Sequence, residues 1–106
     1  MPSVVVEQSS EQPMSDEDLA RFARRIDPCL EIRNGTWVRS YLSSDRKRMT
    51  CEFEAPDAES VREAYRSAGL PFDRVWAATV FAVEDHPELQ QKLTTLRGRQ
   101  AASAAP

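Results

Sequence analysis

From Arg48 to Ala55 the chain reads RMTCEFEA, a stretch that sets Cys51, Glu52 and Glu54 almost side by side. A thiolate is a soft metal ligand, and paired carboxylates can hold a hard cation or move protons. Whether the three act together depends on the backbone. In an extended strand successive side chains point to opposite faces. Met49, Cys51 and Phe53 then form one apolar set, and Thr50, Glu52 and Glu54 form the other, so the thiol and the carboxylates are separated.

The preceding TWVRSYL, residues 36–42, alternates in the same way. Strict alternation places Val38, Ser40 and Leu42 on the apolar side and Trp37, Arg39 and Tyr41 on the polar side. The short SSDRK connection makes the two segments an antiparallel hairpin. One sheet face is therefore expected to collect Trp37, Arg39, Tyr41, Thr50, Glu52 and Glu54, with Glu7 or its neighbours from an earlier strand.

The elements that must position this hairpin are legible on either side of it. Val4, Val5 and Val6 read as a first strand. Ser15 followed by Asp18 is a capping box, and Leu19, Phe22, Ala23 and Ile26 recur at helical spacing behind it. Pro28 is expected to bend or end that helix, and Asn34-Gly35 supplies a turn. Asp57 opens a second helix with Val61, Ala64, Tyr65 and Ala68 on its buried stripe, and Gly69 with Pro71 stops it. FDRVWAATVFAV, residues 72–83, reads as a last strand, apolar enough on both faces to be buried or paired on both sides. Asp85 or His86 before Pro87 caps a short C-terminal helix bearing Leu89, Leu93 and Leu96. The order predicts an α+β fold: a ferredoxin-like β-α-β-β-α-β plait with an antiparallel sheet, followed by that helix. The expected organisation is a domain over 1–84, a helical arm over 85–97 and a disordered tail over 98–106.

Whole-chain properties narrow the function classes. The chain has 106 residues, enough for one core and not two. A formal charge of -3 argues against a nucleic-acid backbone or an anionic membrane as partner. No apolar run reaches the length of a membrane span, and the start lacks the pattern of a secretory signal, so the expected location is the cytoplasm. Cys29 and Cys51 stand in no CxxC spacing, and buried reduced thiols are the simplest reading of both.

In a plait the two helices cover one sheet face and leave the other open. Aromatic side chains left in water would forgo about 1.5–3 kcal/mol of burial each. The economical solution is a homodimer in which two open faces meet as a dimeric α/β barrel around a polar cavity. Trp37, Arg39, Tyr41, Glu52, Glu54 and Trp76 are the expected ligand-binding residues. The simpler alternatives are a cross-strand ion pair from Arg39 to Glu52 or Glu54 and aromatics that serve only as dimer anchors.

Residues 40–76 carry a family resemblance. Trp37, Ser40, Tyr41, Asp45, Cys51, Glu54, Ala55, Pro56, Asp57, Ala68, Gly69 and Pro71 match the signature of the family named domain of unknown function 4242. With the first strand, the likeness spans residues 4 to 82. This family is similar to the dimeric α/β-barrel superfamily, and a nickel-binding protein is its best-described kind of member. The resemblance implies dimerisation and a divalent metal such as nickel as a ligand, with no metal residues assigned. Many relatives carry a His near the position of Ala64, in a Glu-His-Ala sequence, where this chain reads Glu-Ala-Tyr. That departure weighs against nickel, whose sites favour imidazole. His86, the lone histidine, lies outside the shared region and reads as a helix cap.

Two functions compete. One is a binding protein whose cavity takes a small polar molecule or a divalent ion. The other, which the superfamily likeness allows, is a cofactor-free enzyme of isomerase, cyclase or monooxygenase type. There Glu54 or Glu52 would be the general acid or base, and Tyr41 with Arg39 would orient the substrate. RNA binding of the kind this plait also supports needs a basic, aromatic third strand, which RMTCEFEA does not offer.

Overall fold

The computed structural model describes residues 2–104, with side chains through residue 98. The chain runs β1 (Ser3–Ser9), α1 (Asp16–Glu31), β2 (Thr36–Leu42), β3 (Arg48–Glu54), α2 (Ala58–Ala68), β4 (Arg74–Ala78), a 3-10 turn (Val83–Asp85) and α3 (Pro87–Ala104). The sheet order is β2-β3-β1-β4 with every neighbouring pair antiparallel, which is the ferredoxin-like plait.

Local chemistry fixes where the helices begin. The Asp18 backbone N–H donates to Ser15 Oγ at 3.0 Å, and the Ser15 N–H donates to Asp18 Oδ2 at 2.9 Å, completing the capping box of α1. Asp57 accepts from the Ser60 N–H at 2.7 Å and caps α2, which ends where Gly69 turns left-handed at φ 68°. Pro28 does not end α1 as expected: the helix continues through it to Glu31. Pro28 falls in the last turn at an exposed position, where water can satisfy the carbonyl that loses its donor.

The core lies between the helices and one sheet face. Phe22, Ile26 and Leu30 from α1 and Val61, Ala64, Tyr65 and Ala68 from α2 bury the side chains of Val4, Val6, Met49, Cys51, Phe53 and Val75. Alternation therefore assigns β1 and β3 correctly. Strand β4, expected to be buried or paired on both sides, is instead an edge strand paired with β1, and its Trp76 is exposed.

Strand β2 departs from strict alternation. Its register with β3 pairs Trp37 with Phe53 and Arg39 with Glu52, so Val38 forms a bulge. The extra residue reverses the phase upstream of it. Trp37 thus faces the helices, with its ring 5.3 Å from that of Phe22 in an edge-on arrangement, and Val38 turns outward instead. The expected place of Trp37 on the open face is corrected accordingly.

The last strand is also shorter than the 72–83 expected. Ser3 pairs with Ala78, and beyond it β1 offers no further partner, so the chain leaves the sheet. Val80 and Phe81 are exposed as a result. The helical arm runs past its expected end at 97 to Ala104; of the expected tail, residues 105 and 106 lie outside the described ones.

Candidate functional site

The sheet face away from α1 and α2 is organised in rows across the strands. One row reads Tyr41, Thr50, Glu7 and Arg74 from β2 to β4; the next reads Arg39, Glu52, Val5 and Trp76; a third reads Thr36, Glu54, Ser3 and Ala78. Each row follows from period-two geometry once the bulge at Val38 is allowed for.

Arg39 Nε lies 3.3 Å from Glu52 Oε1, with the carboxylate side chain 21% exposed and the guanidinium 59%. Tyr41 and Trp76 are exposed on this same face, and the Trp76 indole N–H donates to Glu7 Oε2 at 2.9 Å. After β4 the chain comes back over the face, so that Phe81, Leu93 and Arg97 stand opposite Arg39, Tyr41 and Glu52 across a cleft of about 400 Å³. Of the residues expected at the site, Arg39, Tyr41 and Glu52 come together here. Trp76 lies two strands from Glu52 in the same row, Glu54 is exposed at the strand end outside the cleft, and Trp37 is on the opposite side of the sheet.

Sequence reasoning missed the covering segment, because 79–82 reads as strand. The repeat of Leu89, Leu93 and Leu96 was the available signal that α3 has a side to pack. It also missed a polar chain running through the helix side. Trp37 Nε1 donates to Ser40 Oγ at 2.8 Å, and the Ser40 hydroxyl donates to Cys51 Sγ at 3.0 Å. Gln8 Oε1 then accepts from the Tyr65 hydroxyl at 3.4 Å, and Gln8 Nε2 donates to the Pro71 carbonyl at 3.2 Å. Burial pushes the Cys51 thiol up, opposed by hydrogen bonds from Ser40 and Tyr65, so it stays protonated at neutral pH. Burial, with Cys51 beside it, likewise raises the Tyr65 phenol far above its usual range. These groups satisfy one another inside the core and give no open coordination position.

The donor set of one chain does not fit nickel. Among the described residues no group of three or more His, Cys, Asp or Glu side chains gathers to hold a metal ion. His86 stacks on Phe81 with ring centroids 4.5 Å apart, away from the glutamates of β3 in sequence and packed against an aromatic ring. Ala64 is fully buried within the core. No step is therefore assigned to a metal held by a single chain.

Residues 4–77 match the family model described as nickel responsive protein SCO4226-like. The crystal structure of SCO4226 from Streptomyces coelicolor A3(2) is similar in fold, with a TM-score of 0.68 at 15% identity over 76% of this chain and 99% of that one. At this identity the likeness speaks for the fold alone. No curated protein matches the chain. His86 and α3 lie beyond the residues that the family model matches.

Proposed function

The chain belongs to the SCO4226-like family of nickel responsive proteins, and on that premise we propose that it is a homodimeric binding protein whose open sheet face takes a small polar ligand and, where the chain's own segment after β4 leaves Tyr41 and Trp76 exposed, is covered by a second copy. The observation that carries this reading is the exposure of Tyr41 and Trp76, 64% and 46%, on the face that also holds the Arg39–Glu52 ion pair. Large rings beside an ion pair, left in water, mark a surface meant to be covered. The two cysteines are free thiols, which suits the reducing cytoplasm, and no described helix is long and apolar enough to cross a membrane.

A divalent ion, nickel included, is the second reading, favoured by the family description. It requires carboxylates from both copies, since one chain gathers too few donors among its described residues. The catalytic alternative is weaker on geometry: Glu52 Oε1 is engaged by Arg39, and Glu54 stands outside the cleft, so neither is free within it as acid or base.

Sedimentation equilibrium tests the dimer. A mass of twice the chain, falling to one chain in Trp76→Glu, is the expected result; a wild-type monomer at high micromolar concentration overturns the reading. Calorimetry with nickel separates the ligand classes. Heat that disappears in Glu52→Gln would establish the shared-ion version, and absence of heat at micromolar protein would leave the organic ligand.

A further inference from the structure

The open face has a second depression, away from the Arg39–Glu52 cleft. It lies at the sheet end where β1 ends and β3 and β4 begin, has a volume of about 300 Å³, and is lined by Glu7, Arg48, Thr50, Asp73 and Arg74, together with Gln8 and Met49 from the helix side. This volume is at the lower end for small-ligand sites.

Its charges are unusually arranged. Glu7 stands directly across from Arg74 in the strand register and would be its natural ion-pair partner. Instead the Glu7 carboxylate turns to the diagonal neighbour and accepts from the Trp76 indole. Asp73, the other nearby acid, accepts from the Ser9 hydroxyl at 2.7 Å. Both carboxylates are thus engaged by neutral donors. Among the described residues neither Arg48 nor Arg74 forms an ion pair, whereas Arg39 and Arg46, on the same hairpin, both do. Two guanidinium forks at one depression, each with unspent donors, suit a planar anion that can be held bidentately.

The neighbouring acids select among anions. With two acids offsetting two arginines, doubling the ligand charge doubles attraction and repulsion alike, whereas the cost of stripping water from a phosphate dianion is about four times that of a monoanion, so a carboxylate is favoured. On the side toward the middle of the face, the depression borders Val5 and Trp76, and Tyr41 flanks Thr50 in the adjoining row. An apolar body attached to the carboxylate would lie over Val5 and Trp76.

We propose that the ligand of the open face is a small monocarboxylate with an apolar or aromatic body. Its carboxylate sits between Arg48 and Arg74 with the Thr50 hydroxyl as an added donor, and its body covers Val5 against the ring of Trp76. This inference rests on the reading of the open face as a ligand cavity and names the class of molecule that enters it.

The test uses the full chain, benzoate as probe, and the two indole N–H resonances in heteronuclear NMR, assigned with a Trp37→Phe variant. Benzoate at millimolar concentration is expected to shift the Trp76 indole and leave that of Trp37, on the other side of the sheet, in place. Arg48→Ala and Arg74→Ala should each weaken binding about tenfold, the scale of a lost charge-assisted hydrogen bond. Arg24→Ala, on the outer side of α1, should not change it. Inorganic phosphate should bind more weakly than benzoate. No shift with about 10 mM benzoate, tighter binding of phosphate, or full affinity in both arginine variants would each overturn the assignment. Sedimentation of the same samples separates this from the broader reading: a dimer disrupted by Trp76→Glu yet indifferent to benzoate refutes the carboxylate alone, and a dimer unaffected by Trp76→Glu refutes the covered face itself.

Discussion

The Arg39–Glu52 pair reports directly on whether the open face is covered. At 3.3 Å, two unit charges attract by about 1.3 kcal/mol in bulk water and about 5 kcal/mol at an effective dielectric of 20. If the face stays in water, screening and the entropy of ordering both side chains reduce the net coupling to about 0.2–1 kcal/mol. If a second sheet covers it, water is displaced from both groups, screening falls, and the coupling should rise to about 2 kcal/mol. A double-mutant cycle of Arg39→Ala and Glu52→Ala, read by urea unfolding, gives that number free of the single-site costs. The cycle should be run at low and high salt and at two protein concentrations. The expected result is a coupling near 2 kcal/mol that persists in high salt at the higher concentration and shrinks on dilution. A coupling under about 0.5 kcal/mol, abolished by salt and independent of concentration, would mean that the face is open to solvent and that the dimer reasoning is wrong.

Three other outcomes follow from single features. Cys29 is half-buried while Cys51 is fully buried with its thiol pKa raised, so a thiol reagent at neutral pH should titrate Cys29 in the native protein and Cys51 only on unfolding; equal rates would contradict the packing. The Ser60 hydroxyl and backbone N–H hold the Asp57 carboxyl below its usual value, so the charged cap stabilises fully above about pH 4 and fades as pH falls through the lower folded value. The melting-temperature gap between wild type and Asp57→Ala should accordingly close toward pH 2, and a gap unchanged there would exclude the charge as its cause. Gly69→Ala forces a Cβ into the left-handed region and within 3.2 Å of the Arg25 guanidinium, whose flexible end can move away. The backbone cost of about 1 kcal/mol should remain and appear in urea unfolding as a lower midpoint at constant slope.

How far the sequence speaks for the fold varies by element. The helix starts were legible because capping is local: Ser15 with Asp18, and Asp57 with Ser60, carry their own hydrogen-bond partners within three residues. Strand β3 was legible because only one phase of RMTCEFEA puts its apolar side chains together. TWVRSYL is different, because Trp37 and Val38 are both apolar and either can face the core. Only packing decides between them, and the aromatic pocket formed by Phe22, Phe53 and the Ser40 hydroxyl favours the indole. Arg39 and Tyr41 lie downstream of the bulge, so their side was right under either phase. The end of β4 was not legible in its own residues, since it is set by where β1 begins to pair. The cover over Arg39 and Glu52 depends in turn on that early exit.

The bulge also bears on how two copies would meet. An edge strand with a regular row of free N–H and C=O groups invites strand addition, and a bulge interrupts that row. Strand β2 is one edge of this sheet and carries the bulge at Val38, with Arg39 beside it. Strand β4 is the other edge and is only five residues long. Neither edge offers an extended template. The same displacement draws Trp37 into the core, which leaves Tyr41 and Trp76 as the large rings of the open face, on strands at opposite edges of the sheet. Rings so placed would anchor a second sheet at its two sides, with Glu52 and Val5 of the two central strands enclosed between them. Association through the face instead of the edges is thus favoured twice by one inserted residue.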